Sequence, residues 1–238
     1  AAANNRGIRI ARGDRILLLN PDTEVGRGTL ERALDQMDGR PEVGMLGVKL
    51  VLEDGSLDHA CKRGFPSPRA ALGYMLRLDR VLPSGLGFGN YRLDAADPNR
   101  EAVVDAISGA FMLVRRGAVN DVGPLDEGYW MYSEDLDWCA RFNSAGWKVL
   151  YWPGAEVLHL KGGSGGHRSV RTNVAFHRGM IRFHRLHGGT SSGVNWLVAG
   201  AVWLRLGLSL APGGLTGPPQ TAPTAGRRTP PERAPRCP

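Results

Sequence analysis

Apolar positions along the chain change period several times, and each change marks a predicted element. Arg15–Leu19 (RILLL) is an unbroken apolar run between Gly13-Asp14 and Asn20-Pro21, the pattern of a buried parallel strand. Residues 28–37 switch to helical spacing, with Leu30, Ala33, Leu34 and Met37 on one side. Residues 43–50 return to strand character and turn at Asp54-Gly55 into a hairpin. This strand–helix–strand opening predicts an α/β sheet with right-handed crossovers. Residues 64–100 are rich in Gly, Pro and Asp and predict a long loop with one short helix near 69–79. Gly85-Leu86-Gly87-Phe88-Gly89 lies in that loop, follows no strand and opens no helix, so a phosphate cradle is a poor reading of it. Strand character resumes over 103–114, where Ser108-Gly109-Ala110 allows close backbone approach.

A second helix is predicted from Ser133, a good N-cap residue, to a stop at Gly146. Residues 147–152 and 155–160 read as two strands joined by a Pro153-Gly154 turn, the second ending at His159. A glycine-rich loop over 162–166 leads to a basic helix over 169–186. His177 and His184 lie on it with His187 beyond, and the segment has no carboxylate or Cys to complete a metal site, so it reads as a half-exposed basic face. Residues 194–210 form the longest apolar run, short of the roughly 18–20 residues of a membrane span and interrupted by Arg205. With Trp196 and Trp203 it fits either a helix lying in a membrane interface or one packed on the domain.

Composition narrows the class. The 238 residues carry a formal charge of +7, yet residues 211–238 hold four Arg against one Glu, together with eight of the sixteen prolines. That tail is too poor in large apolar residues to fold and is expected to be disordered. The remaining body is only mildly basic, which argues against nucleic acid and suits phosphate handling or an anionic membrane surface. Cys61, Cys139 and Cys237 are far apart and form no C-x-x-C pair, so disulfide scaffolds and zinc clusters are excluded and a reducing cytosol is inferred. The chain starts Ala-Ala-Ala-Asn-Asn with no signal-peptide pattern, and reads as beginning inside a longer protein.

Candidate chemistry concentrates in Tyr132-Ser133-Glu134-Asp135-Leu136-Asp137-Trp138, with three carboxylates at a helix start. Acidic first turns are often mere helix stabilisers. Here Tyr129, Trp130, Tyr132 and Trp138 suggest an aromatic-walled cleft in which a carboxylate can become a useful base. Asn20 and Asp22 lie just past the end of the first strand, where open α/β sheets bind ligands and a carboxylate can hold Mg²⁺ or Mn²⁺. An Asn-Pro-Asp turn is the alternative there.

Read in order, several segments resemble the family 2 glycosyltransferases of the GT-A fold, in their bacterial rhamnosyltransferase-like branch. They are Asn4-Asn5-Arg6-Gly7 with Ala11-Arg12-Gly13-Asp14, LLLNPDTEV, SGAFMLVRR from Ser108, VGPLDE from Val122, YSEDLDWCAR from Tyr132, Ala145-Gly146-Trp147, and Pro153-Gly154-Ala155 running on to His159. The resemblance implies a mixed, mainly parallel α/β sheet flanked by helices, with a catalytic domain over 1–190, a helix over 191–210 and the tail beyond. It implies an inverting enzyme moving a sugar, rhamnose by likeness, from a nucleotide-diphosphate donor to a polysaccharide or lipid-linked acceptor of the cell envelope. Such an enzyme works in the cytoplasm, with peripheral contact at the inner membrane face.

The resemblance also assigns residues. Asp135 matches the catalytic base, and Glu134 and Asp137 would orient the acceptor or the base. Asp22 matches the second acid of a DxD-like motif that binds Mg²⁺ or Mn²⁺ on the donor diphosphate, with Asn20 in the place of the first, and His159 completes that metal site. Gly109, Trp138, Lys161 and Arg168 join the substrate-binding set. The family's opening β-α-β nucleotide segment precedes Asn4-Asn5 and is missing here, so this chain alone is expected to hold nucleotide sugar weakly. A non-catalytic remnant and a sugar nucleotidyltransferase are the competing readings.

Overall fold

The computed structural model describes residues 1–65, 97–160, 170–188 and 192–210. Its helices are α1 (Ala2–Ile10), α2 (Thr29–Asp38), α3 (Arg116–Val122), α4 (Glu134–Ser144), α5 (Val170–His187) and α6 (Ser192–Leu210). Its strands are β1 (Arg15–Leu19), β2 (Thr23–Val25), β3 (Val43–Val51), β4 (Ala102–Val103), β5 (Phe111–Arg115) and β6 (Lys148–His159). They form one sheet in the order β1-β5-β3-β6-β2, with β4 added on β6. The predicted helix at 69–79, the glycine loops at 85–89 and 162–166, and the tail lie outside the described residues.

The α/β architecture is mixed, as the sequence implies, but its parallel part is confined to β3–β6. β1–β5, β3–β5, β2–β6 and β4–β6 are all antiparallel. β5 inserts between β1 and β3, so the opening strand–helix–strand unit does not pair with itself. β3 is buried on both faces over most of its length, which explains its continuous apolar run. Helices α2 to α4 pack on the sheet, and Trp138, Tyr151, Phe111 and Phe142 are the largest fully buried side chains.

Local chemistry explains the agreements and the departures. The hairpin closes at Asp54-Gly55: Gly55 has φ +80° and Leu52 N–H donates to Ser56 O at 2.8 Å. Gly146, at φ +85°, ends α4 as expected. The predicted single strand over 103–114 is two short strands, because residues 105–109 leave the sheet to bond elsewhere: Ala106 and Arg63 exchange both backbone hydrogen bonds. α2 buries Thr29, Ala33 and Met37 and leaves Leu30 exposed, a face turned slightly from the expected one.

The two strands expected around Pro153-Gly154 are one strand with a bulge. Val48 pairs with Trp152 and the next β3 residue, Lys49, with Glu156, so Pro153, Gly154 and Ala155 loop out of register. The helix α1 was not legible from local pattern. Asn5 fixes it from a distance: its amide donates to Leu125 O at 2.9 Å, and its carbonyl accepts from Leu125 N–H at 3.0 Å.

Candidate active site

The turn after β1 and the end of β6 meet through the β2–β6 pairing, which sets Thr23 opposite His159. Asp22 O accepts from Leu160 N–H at 2.8 Å, and His159 Nε2 stands 3.6 Å from Asp22 Oδ1. Behind the ring, His159 Nδ1 is 2.8 Å from Asp58 Oδ2, and the Asp58 side chain is only 1% exposed. The other oxygen, Asp58 Oδ1, accepts from Ala60 N–H at 3.0 Å and caps the turn His59–Cys61. Asp58 is placed by the hairpin, its N–H donating to Leu50 O at 2.9 Å.

With a proton on Nδ1, shared with Asp58, Nε2 would turn a lone pair to the Asp22 carboxylate. Two electron-rich groups at that distance invite a cation between them. A carboxylate behind a histidine is also the usual support for a metal-binding imidazole. Among the described residues no group of three or more His, Cys, Asp and Glu forms a metal cage. Asp22 and His159 thus fit a divalent ion that takes its other ligands from substrate phosphate and water. Asn20 lies on the exposed side of the same turn, with its backbone N–H donating to Ala110 O at 3.0 Å.

The acidic helix starts from a strained turn. Tyr132 and Ser133 have φ of +67° and +68°, in the left-handed region that non-glycine residues rarely adopt. Each such residue costs on the order of 1–3 kcal/mol and persists only where its surroundings enforce it. Ser133 is the N-cap residue, but its hydroxyl makes no capping bond. Gly179 of α5 permits the close contact, since a Cβ there would lie 3.0 Å from Ser133 Oγ and 3.2 Å from Tyr132 O.

Asp135 Oδ2 accepts from Arg63 Nη2 at 2.6 Å and from Gly109 N–H at 3.3 Å; Arg63 also donates to Ile107 O at 2.9 Å. The pair is mostly shielded, with the Arg63 and Asp135 side chains 13% and 18% exposed. Glu134 differs. Burial, and then the neighbouring Asp135 charge, push its carboxyl above the usual glutamate range, and its buried Oε2 has no hydrogen-bond partner among the described residues.

The structure therefore brings most of the candidates together. Asn20 bonds Ala110, Gly109 bonds Asp135, and the single segment 58–63 reaches His159 through Asp58 and Asp135 through Arg63. Asp58 and Arg63 are the residues that sequence reasoning missed.

Two candidates sit elsewhere. Trp138 is fully buried, stacked edge-on with Phe142, and its indole N–H donates to Gly123 O at 2.9 Å, so it supports the core and lines no cleft. Asp137 is buried too. It accepts from Arg141 Nε at 2.9 Å, lies 2.7 Å from His187 Nε2, and takes a long 3.5 Å bond from Tyr129 O–H. It ties α4 to α5. Of the expected aromatic wall, only Trp130 and Tyr132 are exposed. His177 and His184 are buried, and the exposed basic positions of α5 are Arg171, Arg178 and Arg185. Lys161 and Arg168 lie outside the described residues.

A family model described as "Glycosyltransferase like family 2" matches residues 1–175. An N-acetylglucosaminyl-diphospho-decaprenol L-rhamnosyltransferase of Mycobacterium tuberculosis is 34% identical over 194 residues, covering 81% of this chain and 62% of that protein. Rhamnosyltransferase WbbL of Escherichia coli is 29% identical over 63% of this chain and 54% of its own length. The chain thus spans little more than half the length of these curated relatives. Among solved structures, a mannosyltransferase from Pyrobaculum calidifontis in complex with GDP-Man and Mn²⁺ aligns at 15% identity with a TM-score of 0.48, over 87% of this chain and 49% of that one.

Proposed function

Because the chain belongs to the glycosyltransferase-like family 2, we propose that it transfers a sugar from a nucleotide-diphosphate donor to a glycan or lipid-linked acceptor of the cell envelope, with inversion. The names of the rhamnosyltransferase relatives favour rhamnose as that sugar, and the polyprenol of the mycobacterial relative favours a lipid-linked acceptor. Work on such an acceptor would put the protein at the cytoplasmic face of the plasma membrane.

The observation that carries the reading is the held carboxylate of Asp135. In an inverting transfer, the acceptor oxygen bonds to the anomeric carbon as the bond from that carbon to the diphosphate oxygen breaks, and the acceptor proton leaves to a base. Asp135 takes that proton. Arg63 and the Gly109 N–H hold it fixed in one orientation before the acceptor arrives. Glu134, whose carboxyl is pushed above the usual glutamate range by burial and the Asp135 charge, lies beside the base. Asp22 and His159 would hold Mg²⁺ or Mn²⁺, which when bound supplies positive charge to the departing diphosphate. Asn20 lies at the rim of that turn, within reach of the donor.

The test is sugar transfer from dTDP-rhamnose to a polyprenyl-linked acceptor, in the presence of Mn²⁺ and followed by chromatography of the product. Wild-type protein is expected to give product with inverted configuration, and Asp135→Asn to give none while keeping its circular dichroism spectrum. Equal transfer by the two proteins would sink the assignment of Asp135.

A further inference from the structure

The water-facing side of α6 is apolar. Trp196, Leu197, Gly200, Trp203, Leu204, Gly207 and Leu208 recur at three- and four-residue spacing and are all exposed, Trp196 by 73% and Leu197 by 75%. The opposite side, Ala199 and Val202, packs on Ile181 and Met180 of α5. A surface helix that shows water its apolar face and its partner helix the rest needs a cover.

Charge identifies the cover. α5 and α6 contain Arg171, Arg178, Arg182, Arg185 and Arg205 and not one acidic residue. Arg171, Arg178 and Arg185 are exposed and seven residues apart, so they form a row along α5. At about 100° per residue that row lies roughly 40–80° around the helix from Ile181, on the flank beside the contact with α6. Trp130 extends the surface, with Arg171 4.3 Å above its ring. An apolar helical face with two tryptophans, bordered by arginines and free of acids, is the composition of a helix lying in an anionic bilayer interface. No helix among the described residues is long and apolar enough to cross a membrane. A second copy docked on this face would set two arginine rows near each other with no acid between them.

We propose that the α5–α6 hairpin is a membrane-docking surface, with α6 lying flat in the headgroup region of an anionic bilayer and the Arg171–Arg178–Arg185 row on its lipid phosphates. This goes beyond sugar transfer and does not depend on which sugar is moved. Docking would hold the catalytic domain at the surface where a lipid-linked acceptor resides.

Flotation of the full chain with vesicles tests it, comparing phosphatidylcholine alone with phosphatidylcholine mixed with phosphatidylglycerol. Binding is expected on the mixed vesicles, weaker on the neutral ones, and weakened by salt. Leu197→Ser with Leu204→Ser should lower partitioning at least tenfold, and Arg178→Gln with Arg185→Gln by about fivefold for each arginine. All four positions are exposed, so folding should be kept, as melting curves would verify, and the arginine-containing tail is the same in every variant. The proposal is overturned if the wild type does not float with mixed vesicles or if the double-serine variant floats as well as the wild type. It is also overturned if sedimentation reveals a micromolar dimer that the double-serine variant abolishes. No transfer activity is read, so failure here would leave the proposed reaction standing.

Discussion

Asp135 and Asp137 lie two residues apart on α4, about 200° around the helix from each other, and they are built on opposite plans. Asp135 faces the end of the sheet, partly open, gripped by an arginine and a backbone N–H that come from loops. Asp137 faces α5, sealed from solvent, and joins two helices through Arg141 and His187. One carboxylate is partly open to solvent and the other holds the scaffold. Under the proposed function the same acidic run would serve chemistry on one face of the helix, while on the other it serves assembly.

Substitution separates the two most sharply by readout. Asp135→Asn should lower the transfer rate about 10²–10⁴-fold, the usual worth of a general base, with an almost unchanged melting temperature. Asp137→Ala should do the reverse. Loss of a buried partner of Arg141 and His187 is expected to cost roughly 3–5 kcal/mol in urea unfolding, with activity falling only as far as the fold does. Comparable rate losses without destabilisation in both variants would erase the distinction.

A smaller effect tests the support behind the site. Asp58→Ala should weaken Mn²⁺ binding about tenfold to hundredfold, as followed by electron paramagnetic resonance of free Mn²⁺. Unchanged affinity would reduce Asp58 to a turn cap. In the metal-free protein, nitrogen NMR of His159 should place the proton on Nδ1 and lose that preference in the variant.

The smallest expected effect concerns Glu134. Its folded pKa lies above the ordinary 4.5, so the native state holds the proton more tightly than the unfolded chain does. Stability contributed by this group is full below that value and is lost as pH rises through the raised one. Glu134→Gln should therefore melt higher than wild type at neutral pH and flatten the pH dependence above 4.5. A variant that melts lower at neutral pH would point to an ionised, stabilising Glu134.

What the sequence made legible follows from the range of the interactions. The RILLL strand, the Asp54-Gly55 hairpin and the Gly146 stop are local, set by burial on two faces or by one backbone angle, and a short window contains their cause. Asp22, Asp135 and His159 were picked out by the ordered resemblance, since locally they also fit an Asn-Pro-Asp turn, a helix-stabilising first turn and an ordinary strand end. Asp58 and Arg63 lay in a stretch with no period, and their partners are 101 and 72 residues away. Nothing nearby marks them. Trp138 was misjudged for a related reason: aromatic crowding in sequence gives no direction, and one step along the helix from Asp137 turns the ring into the core. The helical histidines were likewise assigned to the wrong side, since a basic helix does not announce which of its basic side chains are buried.

The bulge at Pro153–Ala155 has a consequence for how one strand meets two demands. Tyr151 and His159 are separated by an even number of residues, so an unbroken strand would send both side chains to one side of the sheet. Tyr151 pairs with Gly47 and Leu158 with Val51, which places Leu158 on the side of Tyr151 and His159 on the other. The looped residues reset the phase of the strand halfway along it. Upstream, the phase is fixed by filling the interior; downstream, it is fixed by presenting an imidazole to Asp58 and Asp22. With separate phases, the interior half can change its packing over time without dictating where the histidine points.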